Sequence, residues 1–263
     1  MIGDPWAHEP PHRKVLVTGP GRSGTSALMQ LFTALGLPTG FRTTKDSYIE
    51  KRSAGLELRM LYDMSRSDAA RYPRIVKDPS LLLTLGPLLK SGALDPPIAV
   101  VLCLRDDMTR AAASRVRRDM VWMAPPWEGP KIPHGTTMGD CTRIMLEWLA
   151  IHDPERVGAR WSDFATGPAV TLSRPQVAHR IRYQERFLTN ALGKLIQTCA
   201  AARIPVLPVR FPGLVDSFEV AGLDLHPLLD PIGVSPADLN AAWGSVMEPE
   251  RVTLRVDAPP RTR

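Results

Sequence analysis

The chain has 263 residues, 44% of them hydrophobic and 23% charged, which is enough apolar material for a sizeable core, so disorder is not expected except at the ends. No apolar run nears the roughly 20 residues of a spanning helix. The longest candidate is Ile98 to Leu104, so a soluble protein without membrane insertion is expected. The formal net charge of +6 favours an anionic partner, either a nucleic acid or a phosphorylated small molecule.

Cys103, Cys141 and Cys199 are far apart and show neither CxxC nor Cys/His ligand spacing, which predicts a reduced, cytoplasmic setting and no metal. The length fits one α/β domain over 1–263. Met1 to Pro11 holds three prolines and no apolar run, and Ala258 to Arg263 reads APPRTR, so 1–12 and 257–263 are expected to be mobile tails. Neither tail reads as a signal peptide or anchor.

In chain order, Lys14 to Gly19 (KVLVTG) is a β-branched run ending in glycine, which predicts a buried strand feeding a loop. Leu28, Leu31, Phe32 and Leu35 then follow helical spacing and Gly36 with Pro38 stops it, giving a helix over Thr25 to Leu35. A second helical pattern spans Asp46 to Met64. Arg74 to Lys77 is a short strand ended by Asp78-Pro79, after which Leu81 to Lys90 is a helix. Ile98 to Leu104 (IAVVLCL) is apolar on both faces, as in an inner strand of a covered parallel sheet. The alanine-rich stretch from Asp107 to Met120, with arginines and aspartates on its polar side, predicts a helix.

Val121 to Gly139 is proline-rich and aperiodic, a long loop in which Trp122, Met123 and Trp127 either close over an acceptor as a lid or cover the core. Helical patterns return at Thr142 to His152 and at Val177 to Arg203, the latter a core or dimer helix. Pro205 to Phe211 (PVLPVRF) is a last strand whose prolines suit an edge, and short helices follow it. Strand and helix alternation predicts an α/β fold in three layers, with a central parallel sheet of about four or five strands.

Gly19 to Ser26, GPGRSGTS, has the spacing of the nucleotide-binding loop GxxxxGK(S/T), in which glycines let backbone N–H groups face a phosphate at a helix N-terminus. The fold is therefore expected to be P-loop-like. Thr25 stands where lysine belongs, and the strand from Ile98 is followed by Arg105 rather than by an acid that would hold magnesium. Both changes weigh against a nucleoside triphosphatase.

RSGTS after the first strand resembles the 5′-phosphosulfate loop of sulfotransferases that use 3′-phosphoadenosine-5′-phosphosulfate (PAPS). Three more segments agree in order: SYIE at Ser47 to Glu50 is similar to the acidic motif of bacterial members, RIVKDP at Arg74 to Pro79 to their KDPR segment, and Arg105 to Ser114 to the 3′-phosphate motif. The last departs from the pattern, with Asp107 in place of proline and Ser114 nine residues after Arg105 rather than eight. The likeness covers the first half of the chain well and the second half only in general layout.

The resemblance implies PAPS as the cofactor, bound by Arg22, Ser23, Gly24, Thr25, Ser26, Arg105 and Ser114, with no metal. It implies a catalytic set of Glu50, Lys77 and Arg22. Glu50 is the first choice of base, since the position of a histidine base in the cytosolic branch is Pro79 here, and Asp78 and Asp46 follow. Lys77 and Arg22 would face the reacting sulfonate. The bland alternatives are a solvated loop cation for Arg22, a strand-end lysine in water for Lys77, and an exposed charge paired with Lys51 or Arg52 for Glu50. The expected activity is sulfuryl transfer to a hydroxyl or amine of a small molecule or glycan. Another P-loop transferase such as a small-molecule kinase, or a basic nucleic-acid-binding module, is the alternative, although basic residues and aromatics do not interleave as single-strand binding requires. The acceptor and the oligomeric state are left open.

Overall fold

The computed structural model describes residues 4–20, 23–44, 72–79, 81–92, 94–116 and 174–249. The short apolar segments form four parallel strands, β1 (Val15–Thr18), β2 (Ile75–Lys77), β3 (Ala99–Arg105) and β4 (Val206–Phe211), in the order β2-β1-β3-β4. The longer periodic segments form α1 (Thr25–Ala34), α2 (Leu81–Ser91), α3 (Met108–Val116) and α4 (Arg174–Ala201). After β4 come α5 (Gly213–Asp216), α6 (Phe218–Leu229) and α7 (Pro236–Val246).

Strand side chains alternate between two apolar layers, which is why the strands read as continuous hydrophobic runs. Leu16, Val76, Val100 and Leu102 pack with the leucines of α2, Ala111 and Ala112 of α3, and Leu188, Leu195 and Cys199 of α4. Val15, Val17, Ile75, Val101 and Cys103 pack on the other face with Leu28, Leu31 and Phe32 of α1 and with α5 to α7. Full burial of each such leucine, valine or phenylalanine contributes about 1.5–3 kcal/mol. The result is a three-layer α/β fold, as the alternation of segments predicts.

Observed boundaries differ by a few residues from the periodicity. Arg105 is the last residue of β3 rather than the first after it, and α4 starts three residues before Val177. The long expected helix over Val177 to Arg203 is indeed a core helix, contributing Leu188, Leu192 and Leu195.

Among the described residues β4 lies at the sheet's edge, in keeping with its prolines. Val100 donates to Pro205 and Asp106 donates to Phe211, so alternate residues Val206, Pro208 and Arg210 turn their backbone outward. Pro208 has no N–H to offer there, and the Arg210 N–H donates to Asp224 Oδ2 at 2.7 Å. The Asp224 carboxylate also holds the Arg210 guanidinium, 2.7 Å away. Both devices blunt an exposed strand edge.

The described part of the segment expected as a tail, residues 4–12, makes contacts with the core. Trp6 is buried in the core on the α1 side, and Arg74 gathers the segment by donating to the Asp4 carboxylate and to the Glu9, Pro10 and Arg13 carbonyls. Buried Lys14 adds bonds to the Pro11 and Tyr72 carbonyls, both 2.7 Å. A proline-rich segment packs here because buried cations satisfy its backbone acceptors. The helix expected over Asp46 to Met64, the loop or lid over 121–139, the helix over Thr142 to His152 and the tail over 257–263 lie outside the described residues. Among the described residues no helix is long and apolar enough to cross a membrane.

Candidate anion-binding site

All four strands point the same way, so Thr18, Lys77, Arg105 and Phe211 end on one edge of the sheet, the edge at which open parallel α/β sheets bind ligands. From Thr18 the chain passes through the glycine loop into α1. A Cβ at Gly19 would overlap the Cys103 carbonyl oxygen, so the loop can leave β1 only where no side chain intervenes. Gly24 caps α1 with φ +85°, a left-handed conformation, and a Cβ there would run into the Phe211 ring.

The start of α1 is left without a side-chain cap and without an acidic residue in its first turn. Its leading N–H groups have no acceptor within the helix, and the helix dipole places partial positive charge there. Ser23 is completely buried, and its Oγ has no hydrogen-bond partner among the described residues; the same is true of Thr18 Oγ1. A buried hydroxyl left in that state costs about 1–3 kcal/mol, which an acceptor-rich ligand would recover.

Lys77 is 0% exposed, which overturns the picture of a strand-end lysine in water. Its ammonium donates to Ser26 Oγ at 2.9 Å, which ties the end of β2 to the first turn of α1. Cys103 lies in the same apolar layer. Burial pushes its thiol up to about 12, with the Lys77 charge pulling the other way, so it is a neutral thiol at physiological pH.

Arg105 is buried, and its guanidinium carbon lies over the Phe211 ring, 5.4 Å from the centroid. The two are register partners across β3 and β4. Asp107, the departure from the family pattern, has a local use: its carboxylate accepts from the Thr109 and Arg110 N–H groups at 2.8 and 3.3 Å and so caps α3. The Arg110 side chain braces it from 3.0 Å.

Of the residues named from sequence, the structure brings together Ser23, Gly24, Thr25, Ser26 and Lys77 around the start of α1, with Arg105 two strands away from Lys77 on the same edge. Ser114 falls on α3, whose backbone alone is described there. Asp78 follows Lys77 directly; it is buried, and its N–H donates to the Val17 carbonyl at 3.0 Å. Arg22, Glu50 and Asp46 lie outside the described residues. Phe211, Thr18 and Cys103 escaped the sequence reading. For Phe211 the available signal was an aromatic ending the last strand of a parallel sheet, on the edge that Arg105 already marked.

Comparison with family models, with curated proteins and with solved structures found no match.

Proposed function

We propose that this chain is a sulfotransferase that moves a sulfuryl group from PAPS to a hydroxyl or amine of a small molecule or glycan. The observation that supports it most is the fully buried Lys77 ammonium, hydrogen-bonded to the first turn of α1 beside a helix start with no side-chain cap and a Ser23 hydroxyl that has no partner among the described residues. A desolvated cation at a helix N-terminus suits a multiply charged anion, because little solvent reorganisation accompanies its binding. Arg105 supplies a second cation on the same edge, which suits a ligand with two separated anionic groups.

The residues present fit PAPS. Backbone N–H groups of Ser23 to Ser26 and the Ser23 hydroxyl would hold the 5′-phosphate, and Arg105, with Ser114, the 3′-phosphate. When bound, PAPS supplies a sulfuryl group activated by a phosphate leaving group. Lys77 and Arg22 would stabilise negative charge growing on the leaving side. Glu50 would take the acceptor's proton; Asp78 is the alternative on the described edge. Magnesium chemistry of the kinase type finds less support, since Thr25 replaces the loop lysine and β3 ends in arginine.

The test is a screen of hydroxyl and amine acceptors with labelled PAPS. Label should pass to an acceptor with release of 3′,5′-adenosine bisphosphate, and Arg105→Ala should raise the KM for PAPS. Phosphoryl transfer from ATP-magnesium with no turnover of PAPS would overturn the proposal.

A further inference from the structure

We infer that Phe211 is a positioning residue that fixes the spacing between the glycine loop and the Arg105 guanidinium, so that both anionic groups of one ligand are met at once. It rests on the reading above, in which the loop and Arg105 hold the two phosphates of one nucleotide.

The ring does two jobs from one place. Its Cδ2 edge sits against the Gly24 backbone, so closely that no side chain fits between them. Its face carries Arg105, 5.4 Å from the centroid. A guanidinium over an aromatic face within about 6 Å is held by the ring quadrupole and by its flat shape. The ring is itself buried, packed in the layer that contains Val209, Leu214 and Val215, so its position is set by the core. The register pairing of Arg105 with Phe211, and the bond from the Asp106 N–H to the Phe211 carbonyl at 2.9 Å, lock the two strand ends together. Gly24 and Arg105 therefore share one rigid support, although they lie on different elements.

Leucine at 211 keeps bulk beneath Gly24 but removes the flat face under Arg105. In Phe211→Leu the affinity for 3′,5′-adenosine bisphosphate should fall about tenfold, the range open to a desolvated cation–π contact. Affinity for adenosine 5′-phosphate, which engages the loop alone, should change much less, so the advantage of two phosphates over one shrinks. Leu239→Ala, a buried position in the same layer but on α7, serves as the comparison for general core damage. Both variants are titrated calorimetrically with both nucleotides and melted alongside the native chain.

An unchanged ratio of bisphosphate to monophosphate affinity in Phe211→Leu, or an equal change in Leu239→Ala, overturns the positioning role. If the native chain binds neither nucleotide yet prefers inorganic pyrophosphate to phosphate, the nucleotide reading falls, and the pyrophosphate-to-phosphate ratio in Phe211→Leu then decides the role of Phe211. A native chain that binds none of these anions overturns both ideas.

Discussion

Replacing Lys77 by methionine distinguishes a lysine kept for an anion from one kept for the fold. The side chain is fully buried, and one of its hydrogen bonds runs to Ser26 Oγ at 2.9 Å. Methionine has similar length and no charge. Losing that hydrogen bond costs about 0.5–1.5 kcal/mol, and relief of the desolvation of a buried charge offsets part of what the side chain's contacts lose. Stability should therefore change by no more than a few kcal/mol. Binding should fall, because a hydrogen bond to a charged group is worth about 1.5–3 kcal/mol, which is roughly a 10- to 150-fold loss of affinity. Thermal unfolding and calorimetric titration with 3′,5′-adenosine bisphosphate measure the two quantities on the same sample. A Lys77→Met chain that melts several degrees lower and binds the bisphosphate as tightly as the native chain would leave Lys77 a structural residue.

Three further outcomes follow from the same structure. Glu50→Gln should lower kcat by about 10²–10⁴, the usual contribution of a general base, while leaving bisphosphate affinity intact; full activity would move the base to Asp78 or Asp46. Gly24→Ala should both destabilise the chain and abolish anion binding, since it combines a left-handed φ of +85° with an overlap on Phe211; a normal melt would contradict the described loop. Lys14 provides a pH test: burial first, then the neighbouring Arg74, lowers its ammonium to about 8 from 10.5, with Asp4 opposing. Between those pH values the unfolded chain binds the proton more tightly, so this group makes the fold more stable as pH rises from about 8 to 10.5. The buried thiols of Cys103 and Cys199, raised to about 12 and about 11, act in the opposite sense above pH 9. The difference in denaturation midpoint between the native chain and Lys14→Met isolates the lysine; it should shift in favour of the native chain across that window, and a flat difference would show that Lys14 is not strongly perturbed.

The strands were legible because each is covered on both faces, which leaves a continuous apolar run such as Ile98 to Leu104 for the eye to find. The start of α1 was equally legible, since Gly19 and Gly24 are required by backbone approach and φ, constraints that surface directly as residue identity. The tethered N-terminal segment was not. Its prolines and polar residues suggest poor packing, while the contacts that hold it use backbone carbonyls met by Arg74 and Lys14 from distant positions, and carbonyls leave no trace in composition. Phe211 was missed for a related reason: its apolar character is explained fully by core burial, and only the register of β4 against β3 places it under Arg105. Asp107 answers to a local demand, the capping of α3, which a motif comparison does not bring out.

Titrating the full chain with 3′,5′-adenosine bisphosphate and, separately, with ATP-magnesium decides whether the loop before α1 and Arg105 together hold a nucleotide with both a 5′- and a 3′-phosphate. A clear preference for the bisphosphate that Arg105→Ala weakens is expected. Tight ATP-magnesium binding with no response to the bisphosphate would contradict it.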